Sequence, residues 1–348
     1  MKNKYKNLIF FQNGSIGDFL MTIFLLENIH LNDPVLKLFV VVPKNEKLLI
    51  QFLEKYPYIN IILANRKSFI GLLRIVTLIK FSFSKNLVIT APTPGKLSLY
   101  IKIIARKISL FRGSKLIGFN DRRRINKFIY SELFEYDTKI IYPEFLKMFI
   151  KNLGFKIKKE KPSFNYSKDK GILEKNNLEK NKYIVFHTQG SSLGRSLVEK
   201  EIIDIIKKIK ELYPTLKIVL TGGSFDENIL KNVLSVFNKD VLTMINKKIS
   251  ELSTIIDESI FFIGVDTGTT HIASFLGKKS LVITHPATTP NWISYYNSNA
   301  KTLYSVKGCK HNIHEGREHL EKCRGKVLRC LEKVPLSIIE ESLKDLLK

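Results

Sequence analysis

Short runs of β-branched and aromatic residues alternate with longer stretches of helical periodicity, twice over, and a polar interval separates the two series. That alternation predicts βα units, which assemble as parallel strands with helices packed on the faces of the sheet. In the first half the spacing predicts strands over 8–13, 38–42, 59–63, 87–90 and 115–119, with helices near 18–30, 45–56, 69–83 and 96–110. Leu20, Ile23, Phe24 and Leu26 make one face of the first helix. Residues 156–182 are rich in Lys, Glu, Asn and Ser and poor in apolar side chains, as expected of a linker. The series restarts with strands over 183–187, 218–221, 241–244, 260–264 and 280–284 and helices near 198–212, 226–237, 250–257 and 269–276. A last amphipathic helix covers 334–347. The expected class is α/β, with one parallel sheet in residues 1–165, a linker over 166–182, a second sheet in 183–333 and a C-terminal helix over 334–348.

At 348 residues the chain is long enough for two cores, and 44% hydrophobic residues exclude a disordered chain. Cys309, Cys323 and Cys330 lie at irregular spacings, which excludes a disulfide scaffold and fits reduced cytosol. Their neighbours His311, His314 and His319 make zinc conceivable, but the spacings match no standard finger, and free thiols are the expectation. The apolar run after the polar start is broken by Gln12, Asn13 and Asp18, which predicts a strand and turn rather than a signal peptide. Lysines and arginines interrupt the most apolar stretches, 69–92 and 97–111, before either reaches the ~20 residues of a membrane span. The expectation is a soluble or peripheral cytoplasmic protein.

The charge is lopsided. Lys and Arg number 57 against 32 Asp and Glu, net +25. Residues 1–170 hold 31 basic and 12 acidic side chains, the remainder 26 and 20. A Lys- and Asn-rich proteome accounts for the total but does not load one half. The functional reading is that the first half faces an anion: a membrane surface, a phosphorylated lipid or a nucleic acid.

Ligands of open parallel sheets bind beyond the carboxyl ends of the strands, and four loops there carry polar chemistry. After the first strand, Gly14-Ser15-Ile16-Gly17-Asp18 puts a tight turn and a carboxylate at a helix start. Read structurally, Asp18 is a helix cap. The loop lacks the spacing of a dinucleotide fingerprint and the Gly-Lys-Ser/Thr of a Walker loop. After the strand over 260–264, Gly264-Val265-Asp266-Thr267-Gly268-Thr269-Thr270-His271 offers backbone N–H groups and hydroxyls at a helix N-terminus, which suits a phosphate; the structural alternative is a capped helix with His271 packed beneath. The loop from His187 to Arg195 is Gly/Ser-rich and ends in a cation, either an anion clamp or a solvated loop. Asp226 or Glu227, after Gly222-Gly223, is placed to hold a ribose hydroxyl.

Together these loops resemble glycosyltransferase family 9, the bacterial lipopolysaccharide heptosyltransferases. The likeness is carried by Gly264-Val265-Asp266-Thr267-Gly268 with His271, Ala273 and Leu276-Gly277-Lys278, by Pro286-Ala287-Thr288, by Gly14-Ser15-Ile16-Gly17-Asp18-Phe19, and by His187 with a basic residue eight positions on. The resemblance implies a GT-B fold, two Rossmann-like domains facing each other across a cleft. It implies transfer of heptose from ADP-heptose, or another nucleotide-diphosphate sugar, to an anionic lipid-linked core saccharide at the inner-membrane surface. Asp18 would then be the general base, and Arg195, Thr267, Gly268 and Thr269 would hold the diphosphate. Asp226 or Glu227 would hold the ribose, and Gly14, Gly17, His187, Asp266 and His271 would support the loops. Arg122, Arg123 and Arg124, with Lys156, Lys158, Lys159 and Lys161, would attract the acceptor, unless they are simply a solvated basic surface. No Asp-x-Asp pair occurs, so neither metal nor cofactor is expected, and a single base predicts inversion at the anomeric carbon.

The chain departs from the family pattern at Arg195, where lysine is usual, at Ser196, Leu197 and Val198, and at His285. A fork replaces a point charge at Arg195, which leaves the donor open between ADP-heptose and a UDP- or other hexose. A sugar-nucleotide epimerase of the same fold is the nearest rival, and a catalytically dead scaffold is another. A basic nucleic-acid or anionic-membrane binder without catalysis is a rival of another class, although aromatics are not interleaved with the basic runs and specific nucleic-acid binding is not expected.

Overall fold

The computed structural model describes residues 4–12, 16–43, 47–64, 83–90, 99–119, 125–135, 140–190, 196–237, 239–284, 295–304 and 334–347. The chain divides into two compact units, Met1–Asn165 and Tyr166–Lys348.

The first unit is built on six parallel strands: β1 (Asn7–Phe11), β2 (Lys37–Pro43), β3 (Ile59–Ala64), β4 (Asn86–Thr90), β5 (Lys115–Phe119) and β6 (Glu132–Phe134), in the order β3-β2-β1-β4-β5-β6. β1 and β4 are buried along their whole length, the unbroken apolar strand that helices on both faces require. Phe11 is level with Val41 on one side and Thr90 on the other. The helices are α1 (Ile16–Asn32), α2 (Lys47–Leu53), α3 (Leu99–Ile108), α4 (Asn126–Ile129) and α5 (Tyr142–Asn152). α2 stops short of the expected 45–56 because Pro57 disfavours helical geometry at Tyr56, and the chain turns through Lys55 and Tyr56 N–H bonds to Phe52 and Leu53 carbonyls. The helix expected over 69–83 lies almost wholly outside the described residues.

The second unit repeats the plan. β7 (Tyr183–His187), β8 (Lys217–Gly222), β9 (Val241–Ile245), β10 (Phe261–Val265), β11 (Ser280–Thr284) and β12 (Ala300–Tyr304) pair in parallel in the order β12-β11-β10-β7-β8-β9. Around them stand α6 (Ile172–Lys175), α7 (Glu199–Leu212), α8 (Glu227–Ser235), α9 (Ile249–Glu258), α10 (Gly268–Phe275) and α11 (Leu336–Leu347). One core runs from α7 through the sheet strands to Ile339 and Leu343 of α11.

The polar stretch 156–182 is bonded to the units along its course. Asn28 of α1 accepts the N–H groups of Lys158 (2.7 Å) and Lys159 (2.9 Å), and its amide donates to the Lys159 carbonyl. Glu27 accepts Lys159 Nζ at 2.8 Å and the Ser163 N–H at 2.8 Å. Beyond residue 165, Tyr166 donates to Asp257 at 2.6 Å, and Lys168 and Lys180 both pair with the buried Glu258. Burial alone would raise the Glu258 carboxyl, but hydrogen bonds from the two lysines hold it below the usual range.

Candidate functional site

Each sheet has one place where successive connections leave in opposite directions, and such a point opens a crevice at the carboxyl ends of two neighbouring strands. In the second unit the crevice lies between β7 and β10, whose connections run to β8 and β11. Strand register sets Thr221, His187 and Gly264 side by side across β8, β7 and β10.

His187 closes β7. Its Nδ1 lies 2.9 Å from Thr221 Oγ1, and burial pushes the imidazole down to about 4, so the ring is neutral at pH 7. The following loop is stapled at its base: the Leu197 N–H donates to the Thr188 carbonyl, Gln189 Nε2 to the Leu197 carbonyl, and the Gly190 N–H to Ser196 Oγ, all at 3.0 Å. Arg195 lies outside the described residues.

The β10–α10 junction depends on Gly264. A Cβ there would stand 2.6 Å from the Phe262 ring and 2.9 Å from Thr270 Oγ1, so only glycine lets the helix start this close to the strand. Thr270 is buried and its hydroxyl donates to the Val265 carbonyl at 2.5 Å. Asp266 and His271 are buried as well. Thr267 takes the extended backbone of an N-cap, and its carbonyl accepts the His271 N–H at 3.2 Å. Its hydroxyl does not cap the helix: it is buried and has no partner among the described residues.

The neighbouring helix starts are closed by the chain itself. The Glu201 carboxylate accepts the Val198 N–H ahead of α7 at 3.1 Å, Glu251 accepts the Lys248 N–H ahead of α9 at 2.8 Å, and Asp226 accepts the Gly223 N–H ahead of α8 at 2.6 Å. Each carboxylate sits where the positive end of a helix favours an anion. At the same position of α10 stands Thr270, turned away to Val265. The first N–H groups of α10, at Gly268, Thr269 and Thr270, therefore lack the side-chain carboxylate bond of the neighbouring starts among the described residues, an arrangement suited to a phosphate.

Of the two ribose candidates, Asp226 locks the turn after β8, and Glu227 opens α8 and pairs with Lys231 at 2.8 Å. Between Gly223 and Asp226, Phe225 is fully exposed.

In the first unit the equivalent crevice lies between β1 and β4, whose connections run to β2 and β5. Gly17 is buried and Asp18 falls in the first turn of α1, directly after the end of β1; its side chain is outside the description. Buried Gln12, at the end of β1, accepts the Thr22 hydroxyl at 3.0 Å and ties helix to strand. Gly14, Arg122, Arg123, Arg124, His285, Cys309, Cys323 and Cys330 also lie outside the described residues. Among the described residues no three His, Cys, Asp or Glu side chains converge as metal ligands would.

The second unit thus brings His187, Asp266, Thr267, Gly268, Thr269 and His271 to one crevice. Sequence reasoning did not identify Thr221 as the partner of His187 or Thr270 as the lock on the junction; the available signals were a hydroxyl near the end of β8 and one in the first turn of α10.

The model of glycosyltransferase family 9 (heptosyltransferase) matches residues 106–322. The fold is similar to that of the glycosyl transferase family 9 protein from Veillonella parvula DSM 2008, with TM-score 0.77 and 16% identity over 100% of this chain and 98% of that one. It is similar to E. coli ADP-heptose lps heptosyltransferase II, with TM-score 0.69 and 14% identity over 100% and 98% of the two chains. E. coli heptosyltransferase WaaC, solved with ADP, matches with TM-score 0.62 and 16% identity over 91% and 99%. No curated protein matches the chain in sequence.

Proposed function

Because the chain belongs to glycosyltransferase family 9, the heptosyltransferase family, we propose that it transfers heptose from ADP-heptose to an anionic, lipid-linked core saccharide, with inversion and without a metal. The observation that supports a nucleoside-diphosphate donor is the uncapped start of α10 beside the neutral, buried His187. The β-phosphate of the donor sits against the N–H groups of Gly268, Thr269 and Thr270, and the idle Thr267 hydroxyl donates to it. These donors are fixed before reaction and stabilise the charge that grows as ADP departs. Arg195 adds a cation, and Asp226 or Glu227 takes the ribose.

In the displacement an acceptor hydroxyl attacks the anomeric carbon as the bond from that carbon to the diphosphate oxygen breaks. The hydroxyl proton passes to Asp18, and the electron pair of the broken bond leaves with ADP. Asp18 falls in the first turn of α1 and takes the proton as the hydroxyl acidifies in the transition state. The basic excess of residues 1–170 supports an acceptor bearing phosphate or carboxylate groups.

The test is thermal unfolding with ADP, UDP, GDP and CMP, each with and without EDTA, since a ligand of the folded state raises its stability by mass action. A rise with ADP that survives EDTA is expected, followed by release of ADP from ADP-heptose that Asp18→Asn abolishes without changing the ADP-induced rise. A rise with UDP alone transfers the reading to a hexose donor or an epimerase, and an EDTA-sensitive rise overturns metal independence.

A further inference from the structure

The outer surface of the first unit carries a second chemistry. α3 and α4 lie on the same face of the sheet: Ala105 and Ile108 of one, and Ile129 with the adjoining Tyr130 of the other, share a core with Ile9, Val88 and Leu116. Buried Lys102 of α3 ties them together by donating to Asn126 Oδ1 at 2.7 Å. With their inner faces committed, the opposite faces turn out in one layer. Along α3 and the turn after it, Ile103, Lys107 and Leu110 follow at helical spacing, all exposed, Leu110 at 66%. On α4 and its first flank Ile125, Lys127 and Phe128 are exposed, Phe128 at 83%. The described residues between 99 and 131 include six Lys or Arg and no Asp or Glu.

The geometry points to this layer as a docking face for an anionic lipid bilayer. Four large apolar side chains set among lysines fit a leaflet, whose headgroups take the ammonium groups while the apolar tips enter the acyl boundary. Lysine stems lie along apolar surface with the charge held outward, so the two residue types do not compete. A protein partner fits poorly, because interface cores are depleted of lysine. A nucleic acid would engage the lysines and stack on Phe128, but would leave Ile103, Leu110 and Ile125 wet. Among the described residues no helix is long and apolar enough to cross a membrane, so the attachment is a surface contact. The inference does not depend on the donor reading.

Co-sedimentation of the full chain with vesicles of phosphatidylcholine, alone or mixed with phosphatidylglycerol, at low and high NaCl, tests it. The wild type binds the mixed vesicles, and salt weakens binding. Lys107→Glu with Lys127→Glu lowers partitioning at low salt by roughly 25-fold or more, from about fivefold per lysine removed at an anionic surface. Leu110→Ser with Phe128→Ser lowers it by roughly 100-fold or more at both salt concentrations, as lost apolar burial requires. All four positions are exposed, so thermal unfolding without lipid stays at the wild-type value. Equal binding to both vesicle types, or wild-type binding by both variants, overturns the proposal. A lipid-free dimer in sedimentation velocity that Leu110→Ser with Phe128→Ser dissolves reassigns the face to a second copy of the chain, and also overturns it.

Discussion

Replacing Gly264 by alanine tests whether the crevice of the second unit is built on the close approach of α10 to β10. The new methyl would lie 2.6 and 2.7 Å from two atoms of the Phe262 ring and 2.9 Å from Thr270 Oγ1. Neither neighbour can yield cheaply, because both side chains are fully buried and the Thr270 hydroxyl is held on the Val265 carbonyl. Overpacking of this kind costs about 1–3 kcal/mol, and the two-sided clash places this one near the upper end, about 3 kcal/mol. For a unit of this size that lowers the melting temperature by about 6–12 °C. Gly223→Ala is the matched control: its methyl would meet only Asp226 Oδ2, at 3.7 Å, and should change stability by less than about 0.5 kcal/mol. Differential scanning calorimetry gives both values, and ADP titration of the folded variants gives the second consequence. The Gly264 variant displaces the start of α10 and weakens ADP, whereas the Gly223 variant does not displace it. A Gly264→Ala chain that melts with the wild type, or one that melts early yet binds ADP unchanged, refutes the argument that this glycine positions the helix for a ligand.

Two substitutions at Thr267 separate binding from stability. Thr267→Val removes a hydroxyl that bonds to nothing among the described residues, so stability should hold or rise by up to about 1 kcal/mol while ADP affinity falls roughly tenfold, by calorimetric titration. Thr267→Asp puts a carboxylate at the N-cap of α10; it should stabilise by about 1 kcal/mol and weaken ADP by more than tenfold, most at low salt. For His187 the folded value of about 4 lies below the unfolded 6.5, so its contribution to stability is complete above pH 6.5 and is lost as pH falls through that window. The loss reaches about 2 kcal/mol by pH 5 and about 3 kcal/mol by pH 4, and His187→Gln should flatten that part of a plot of urea midpoint against pH.

The interior strands were legible because burial on both faces leaves an unbroken apolar run, as in Tyr183–His187 and Ser280–Thr284, whose bounds the spacing anticipated. The two strands it missed are sheet edges. β6 has three residues, all half-buried, and β12 buries only Leu303, so neither needs an apolar run. Glu27 and Asn28 were illegible for the opposite reason. They are buried polar residues within an apolar helix, and their partners lie 130 or more positions away in the segment read as linker. The phosphate-type loop was visible as a run of small donors, but the sequence could not say which hydroxyl is tied down and which is idle. That depends on side-chain rotamers set by the packing of Thr270 against Gly264 and Phe262, which no local pattern encodes.

One part of the site is nonetheless written in the sequence, in a form that only the four helix starts taken together reveal. Glu201, Asp226 and Glu251 each occupy the first turn beyond a strand of the second sheet and bond the N–H group three residues back. A carboxylate there neutralises the positive end of its helix and repels any other anion. Thr270 breaks the series at the helix that borders the switch between β7 and β10, the one position where the topology opens a crevice. Had a glutamate stood there, the helix would be better capped and the crevice closed to a diphosphate. Leaving that start open forgoes a capping contribution of about 1 kcal/mol and leaves three backbone donors available to a ligand. The missing cap, rather than the glycines around it, is the strongest sequence evidence that this end of the second sheet binds an anion.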